Sequence, residues 1–318
     1  MTGAEVVVVG GGPAGSTCAW TLARAGRECL VLDAATFPRD KPCAGWIDPR
    51  VFDVLELAPG SYPHGLTRLD RIRFHLRGLP IGVPTRQLAI RRVEFDDWLL
   101  RRSAVPVVQH RVREIVRSDD GFVIDGRFRC RFVVGAGGTT CPVYRSLFAE
   151  VAPRSLASLV LALEAELACK PPHPECRLWF FDRGLPGYSW YLPKQGGFVA
   201  IGVGGIANRV RRTGGIRRHW EQLLRRLARL GLKVGSECRP RGYAYHLRRG
   251  APLVQIGNAF LLGDAAGLAT LDMGEGIAAA VRSGALAAQS ITTGAPYSVR
   301  SLPRYSIPAI IASRFRSG

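Results

Sequence analysis

The chain has 318 residues, 47% of them hydrophobic and 22% charged, an ordinary globular composition with enough length for one or two buried cores. Its formal net charge is +19, and forty of its forty-four basic residues are arginine. With no zinc finger, RNA-binding signature or helix-turn-helix pattern, no nucleic-acid partner is expected; the charge is read as a solvated cationic surface, with docking on an anionic membrane surface as the second reading.

No run of about 18 apolar residues suggests a transmembrane helix. The first strand starts almost at the N-terminus and leaves no room for a signal peptide, so a cytoplasmic, at most membrane-peripheral, protein is expected. The eight cysteines form no CxxC pair and the six histidines no metal pattern, so zinc, iron–sulfur and disulfide sites are not expected.

Glu5-Val6-Val7-Val8-Val9 predicts a strand buried on both faces of a parallel sheet. Gly10-x-Gly12-x-x-Gly15 follows at once, then a helix over 16–25 with Gly26 as its C-cap, then a strand over 29–32 ending at Asp33. Each part suits a dinucleotide. Gly10 permits the tight turn, Gly12 lets the backbone approach a pyrophosphate, and Gly15 allows close helix–sheet packing. Pro13 and Ala14 lie in the glycine turn ahead of the helix and are expected at the cofactor with it, since the helix N-terminus offers free N–H groups to phosphate. Asp33 stands where a carboxylate accepts ribose hydroxyls.

Further along, residues 69–84 read as a β-hairpin and 94–102 as a helix. Strands over 105–109, 112–117, 122–125 and 128–134 look like a meander. Gly135–Gly138 and Gly202–Gly205 read as strand ends or turns, so one Rossmann unit is expected. Residues 155–246 form a β-rich region with a helix over 216–230, and the strand 259–262 returns to the first domain. The fold class is therefore α/β: a Rossmann-like domain made of 1–154 and 247–318, interrupted by a β-rich substrate domain at 155–246 that the hairpin joins.

The pattern resembles the geranylgeranyl reductase family of flavoproteins, which share their fold with flavin hydroxylases and halogenases. The glycine fingerprint carries the resemblance, together with Phe37-Pro38-Arg39-Asp40-Lys41-Pro42-Cys43-Ala44-Gly45, Arg92-Val93-Glu94-Phe95-Asp96 and Tyr188-Ser189-Trp190-Tyr191-Leu192-Pro193 followed by Gly202-Val203-Gly204. So do Gly263-Asp264-Ala265-Ala266-Gly267 and Gly274-Glu275-Gly276-Ile277. The chain departs from the family pattern at Ala44, Trp46, Gly137, Leu192 and Leu271.

The resemblance implies FAD as cofactor. Asp264, between Gly263 and Gly267, would hold the ribityl hydroxyls, and backbone N–H groups at Gly274, Gly276 and Ile277 would face the flavin ring. Arg92 is either a cation for the flavin phosphate or ribityl, or a surface arginine. Cys43 is either a loop cysteine without a chemical role, or a group that positions substrate or donates a proton. Tyr188 and Trp190 alternate on a strand and share a face, as the lining of an apolar substrate channel or as core aromatics. The implied activity is reduction of carbon–carbon double bonds in an isoprenoid or similar apolar substrate, with NAD(P)H or a ferredoxin as electron donor. The alternative is a monooxygenase or halogenase.

Overall fold

Two sheets divide the chain, and the first is organised by its valines. In chain order the strands are β1 (Thr2–Val9), β2 (Cys29–Asp33), β3 (Trp46–Ile47), β4 (Thr67–Leu76), β5 (Leu79–Ala89), β6 (Val107–Gln109), β7 (Ile115–Ser118), β8 (Gly121–Ile124), β9 (Phe128–Gly135), β10 (Leu159–Ala168), β11 (Cys176–Phe180), β12 (Gly187–Lys194), β13 (Phe198–Ile206), β14 (Arg241–His246), β15 (Gln255–Ile256) and β16 (Ala259–Leu261). The helices are α1 (Pro13–Arg24), α2 (Arg50–Val54), α3 (Arg92–Arg102), α4 (Pro142–Leu147), α5 (Ala207–Arg212), α6 (Gly215–Arg229), α7 (Ile277–Thr293) and α8 (Ile307–Ala312). The structure, a computed structural model, describes residues 2–312 apart from 77, 172, 233 and 235–237.

The first sheet runs β15-β16-β9-β1-β2-β6. Its four central pairings, β16 with β9, β9 with β1, β1 with β2 and β2 with β6, are parallel. Val6, Val7 and Val8 of β1 are fully buried, as a strand covered on both faces requires. The second sheet is mixed, in the order β14-β10-β13-β12-β11-β4-β5-β3. The hairpin β4–β5 enters it through a parallel pairing of β4 with β11. This is a discontinuous Rossmann-like α/β domain carrying an inserted mixed sheet.

Three local expectations change. The segment around Val107 is not part of a meander: β6 pairs parallel with β2, Val31 opposite Val107, because α3 carries the chain back across the sheet before β6 begins. The antiparallel meander is β7-β8-β9 alone. Helix α1 starts at Pro13 rather than Ser16, a first-turn position where the missing proline N–H costs nothing. Gly202–Gly205 lies inside β13 and makes no turn.

Helix α1 ends as anticipated. Gly26 is left-handed (φ 69°), its N–H donates to Ala23 O at 3.0 Å, and the Arg27 N–H donates to Leu22 O at 3.0 Å, a Schellman closure. Helix α6 turns Trp220, Leu223 and Leu227 into the core against the second sheet. Among the described residues no helix is long and apolar enough to cross a membrane.

Helices α1 and α7 touch backbone to backbone. A Cβ at Gly284 would lie 2.3 Å from the Ala14 carbonyl oxygen and 3.0 Å from the Cys18 nitrogen. Gly284→Val should therefore pry α7 from α1 and lower stability by about 1–3 kcal/mol, the usual cost of overpacking. Urea or thermal unfolding of the variant checks this.

Candidate functional site

The C-terminal ends of β1 and β2, the start of α1, the turn before α7 and one face of the second sheet enclose a cavity of about 730 Å³. That volume falls within the range of about 300–1,000 Å³ usual for ligand sites.

The nucleotide end is built from backbone. Gly10 has φ 113° and sits so near Ala136 that a Cβ would meet its carbonyl at 2.5 Å. A Cβ at Gly15 would lie 1.9 Å from the Gly10 oxygen, so Gly15 serves the helix–strand contact and does not line the cavity. Gly12, Pro13 and Ala14 do line it, and Gly12 is the N-cap without a side-chain partner, so the helix N-terminus is open to the cavity. Asp33 stands at the same end, its Oδ2 accepting the Gly11 N–H at 2.7 Å and its Oδ1 the Ala35 N–H at 2.8 Å. The carboxylate thus braces the glycine turn and keeps lone pairs for a further donor.

Arg92 lies in the cavity wall but is not an unengaged cation. It is buried, with Nε and Nη2 donating to the two oxygens of Asp96, each at 2.7 Å. Burial opposes its charge, yet Asp96 and the Cys43 side chain more than offset this and hold its pKa above the ordinary guanidinium value. Arg39 approaches the same Asp96 oxygen at 3.3 Å, and its Nη2 stands 3.3 Å from where a Gly12 Cβ would be. Arg39 thus places a guanidinium beside the glycine fingerprint. Lys41 lies with Nζ 3.4 Å from the centroid of the Tyr243 ring, and burial followed by the charge of Arg92 pulls its pKa down.

Opposite, Gly263–Ala266 forms a 3₁₀ turn closed by left-handed Gly267 (φ 66°). Gly263 and Gly267 shape this turn without facing the cavity, whereas Asp264 faces it. Asp264 Oδ2 accepts the Tyr243 hydroxyl at 2.8 Å. Gly274, Gly276 and Ile277 line the cavity at the start of α7. Gly274 is left-handed (φ 62°) and leaves room for Tyr245, whose hydroxyl a Cβ would meet at 2.3 Å. The N-terminus of α7 is partly taken: Glu275 Oε1 accepts the Ala278 N–H at 2.7 Å. Burial pushes the Glu275 carboxyl up to about 7 against that bond.

The far wall explains the Tyr-x-Trp and Gly-x-Gly spacing. In register, Trp190 faces Gly202 and Tyr188 faces Gly204 across β12–β13. The Trp190 indole lies on its glycine so closely that a Cβ at Gly202 would be 2.1 Å from Cζ2. Tyr188 stacks on Phe180 at 5.0 Å and donates its hydroxyl to Met273 O. Both rings belong at once to the cavity lining and to a core cluster with Leu178 and Leu192, so the two readings of these aromatics are compatible. The Trp190 Nε1–H is buried without a hydrogen-bond partner among the described residues.

Cys43 also lines the cavity, and its backbone N–H donates to Glu164 Oε1 at 2.8 Å. Glu164, Arg39, Lys41, Tyr243, Tyr245 and Glu275 are among the cavity residues to which the sequence pattern assigns no role. Two signals were there to find: an acid inside the apolar strand LVLALEAELA, and tyrosines two apart in RGYAYH.

Comparison with known proteins accords with this geometry. Residues 8–39 match the model of the NAD(P)-binding Rossmann-like domain. The chain is 32% identical to a menaquinone reductase of Mycobacterium tuberculosis, over 99% of this chain and 81% of that protein. It is 28% identical to a geranylgeranyl diphosphate reductase of Rhodobacter capsulatus, over 90% of this chain and 74% of the other. Among solved structures, a geranylgeranyl bacteriochlorophyll reductase-like protein of Thermoplasma acidophilum superposes with a TM-score of 0.79 at 19% identity, covering 92% of this chain and 78% of its own. Identity of this order across almost the whole chain settles the family: the protein belongs to the geranylgeranyl-reductase-like superfamily of flavoprotein oxidoreductases.

Proposed function

We propose that this chain binds FAD and uses it to reduce carbon–carbon double bonds of an isoprenoid or similarly apolar compound. The observation that carries the reading is the two-sided cavity: a glycine-turn cradle for a dinucleotide at one end, and at the other Trp190 laid over Gly202 and Gly204 with the Tyr188 ring beside it. The names of the relatives, a quinone reductase and a prenyl diphosphate reductase, support the same class of substrate.

In this reading the α1 N-terminus and Arg39 receive the pyrophosphate, Asp33 the adenosine ribose, and Asp264 the ribityl hydroxyls. The N–H groups at the start of α7 that Glu275 leaves free face the ring. The bound flavin supplies hydride. The protein's own contribution is to orient an apolar substrate against Trp190 and Tyr188 and to exclude water. Electrons reach the flavin from transiently bound NAD(P)H or from a ferredoxin. The cationic surface suits a membrane-peripheral location for a protein with such a substrate.

Anaerobic mixing of dithionite-reduced, FAD-loaded protein with polyprenyl compounds and quinones should reoxidise the flavin with formation of saturated product. Absence of reoxidation across that panel, with substrate-dependent oxygen uptake instead, would replace reduction by oxygen chemistry.

Asp33→Ala strands the Gly11 and Ala35 N–H groups and removes the ribose acceptor. The Kd for FAD should rise at least about tenfold, a loss of about 1.4 kcal/mol, measured by flavin fluorescence titration. Gly202→Ala places a methyl group within the Trp190 ring position. It should cut turnover of the apolar substrate about tenfold or more while leaving FAD affinity within about twofold of wild type. Steady-state kinetics beside the same titration separates the two effects.

A further inference from the structure

Glu164 interrupts the apolar strand β10, and its carboxyl enters the cavity. Register places it beside the aromatic wall. Glu164 is the direct partner of Gly202, and Gly202 of Trp190, and direct cross-strand partners point to one face of a sheet. Only 6% of the residue is exposed. Oε1 accepts the Cys43 N–H at 2.8 Å, which fixes the carboxyl against the loop that carries Cys43.

The charges around Glu164 are already committed elsewhere. Lys194, at the end of β12, donates to Glu166 at 2.7 Å. Arg92 of α3 is bidentate on Asp96. Arg241, its β14 neighbour in register, pairs with Asp40. Tyr245 of β14 and Cys43 complete the groups facing it. A buried carboxyl that no cation claims for itself holds a proton to higher pH. Burial pushes Glu164 up to about 7, against the pull of Lys194, the Cys43 N–H and Arg92, with Glu166 adding to the rise.

We propose that Glu164 is the general acid that supplies the second hydrogen in reduction of the apolar substrate, an assignment that rests on the reductive reading above. The carboxyl O–H bond breaks, and the π electron pair of the substrate double bond forms a C–H bond to the released proton. The other carbon takes hydride from the reduced flavin, so two electrons pass to the substrate and two hydrogens are added. Glutamate is left as carboxylate and regains its proton from water after the product leaves. A donor with a pKa near the working pH is the efficient choice for such a transfer.

The step is active only while Glu164 is protonated, so its rate is full below about pH 7 and falls tenfold per pH unit above it. The test is single-turnover reoxidation of the reduced, FAD-loaded protein by a polyprenyl substrate across pH, with product analysis. Glu164→Gln keeps an acceptor for the Cys43 N–H and should slow the step about 10²–10⁴-fold with no remaining pH dependence near 7. Glu164→Asp should restore part of the rate together with its fall at higher pH. Independently of turnover, infrared titration of the cofactor-free protein should show protonated carboxyl absorption that is lost as the pH passes about 7, and Glu164→Gln should remove the Glu164 share of it while the Glu275 share remains. Wild-type rate or an unchanged pH profile in Glu164→Gln would overturn the assignment while leaving the reductive reading standing. Failure of the wild-type protein to reduce any apolar substrate would overturn both.

Discussion

Close contact between bare backbones holds the cavity's nucleotide end in shape. Gly15 lies against the Gly10 carbonyl, and Gly284 of α7 against the Ala14 carbonyl of α1. The first contact presses α1 onto β1, and the second presses α7, with the Asp264 turn before it, onto α1. Two segments some 250 residues apart are thereby held at fixed distance across one cavity. Side chains at any of these glycines would separate them by ångströms, more than a hydrogen-bonding site tolerates.

Electrostatics follows from that packing. Asp96 is fully buried and draws both Arg92 and Arg39, so a strongly cationic chain carries its cavity-wall guanidinium as part of a compensated cluster. A buried Arg92 without Asp96 would be an unpaired charge costing several kcal/mol. The overall charge of +19 therefore says little about the cavity, where burial pushes the carboxyls of Glu164 and Glu275 up to about 7.

What could be read from the sequence was what local geometry encodes. The Gly10–Gly15 spacing, the valine strand and the Gly26 cap each depend on residues within one turn or strand, so the Rossmann unit was legible nearly to the residue. Helices α1 and α3 start at Pro13 and Arg92, ahead of their apolar periodicity, because a first turn need not bury a side chain to be helical, and Pro13 at the first position fits it without cost. The placement of β6 beside β2 was not legible, since a three-residue strand looks the same in a meander or at a sheet edge. In the cavity, Asp264 and Trp190 stood in recognisable motifs. Glu164 did not, and Arg39 stood inside the Phe37–Gly45 segment without a local sign of its role, because what sets each apart is a partner far away in the chain: Glu164 meets Cys43 across 121 positions, and Arg39 meets Asp96.

The glycine floor beneath Trp190 has a thermodynamic corollary. Glycine in a strand costs the folded state backbone entropy, since it is the residue with most freedom to lose. That cost is met once, when the protein folds. A wall made of main chain and a packed indole has few rotamers left to freeze, so association with the apolar ligand proposed above would lose less ordering entropy than on a surface of leucine or methionine side chains. The strand β13 thus exchanges some stability of the empty protein for a rigid receptor, and the entropy lost on binding falls chiefly on the ligand.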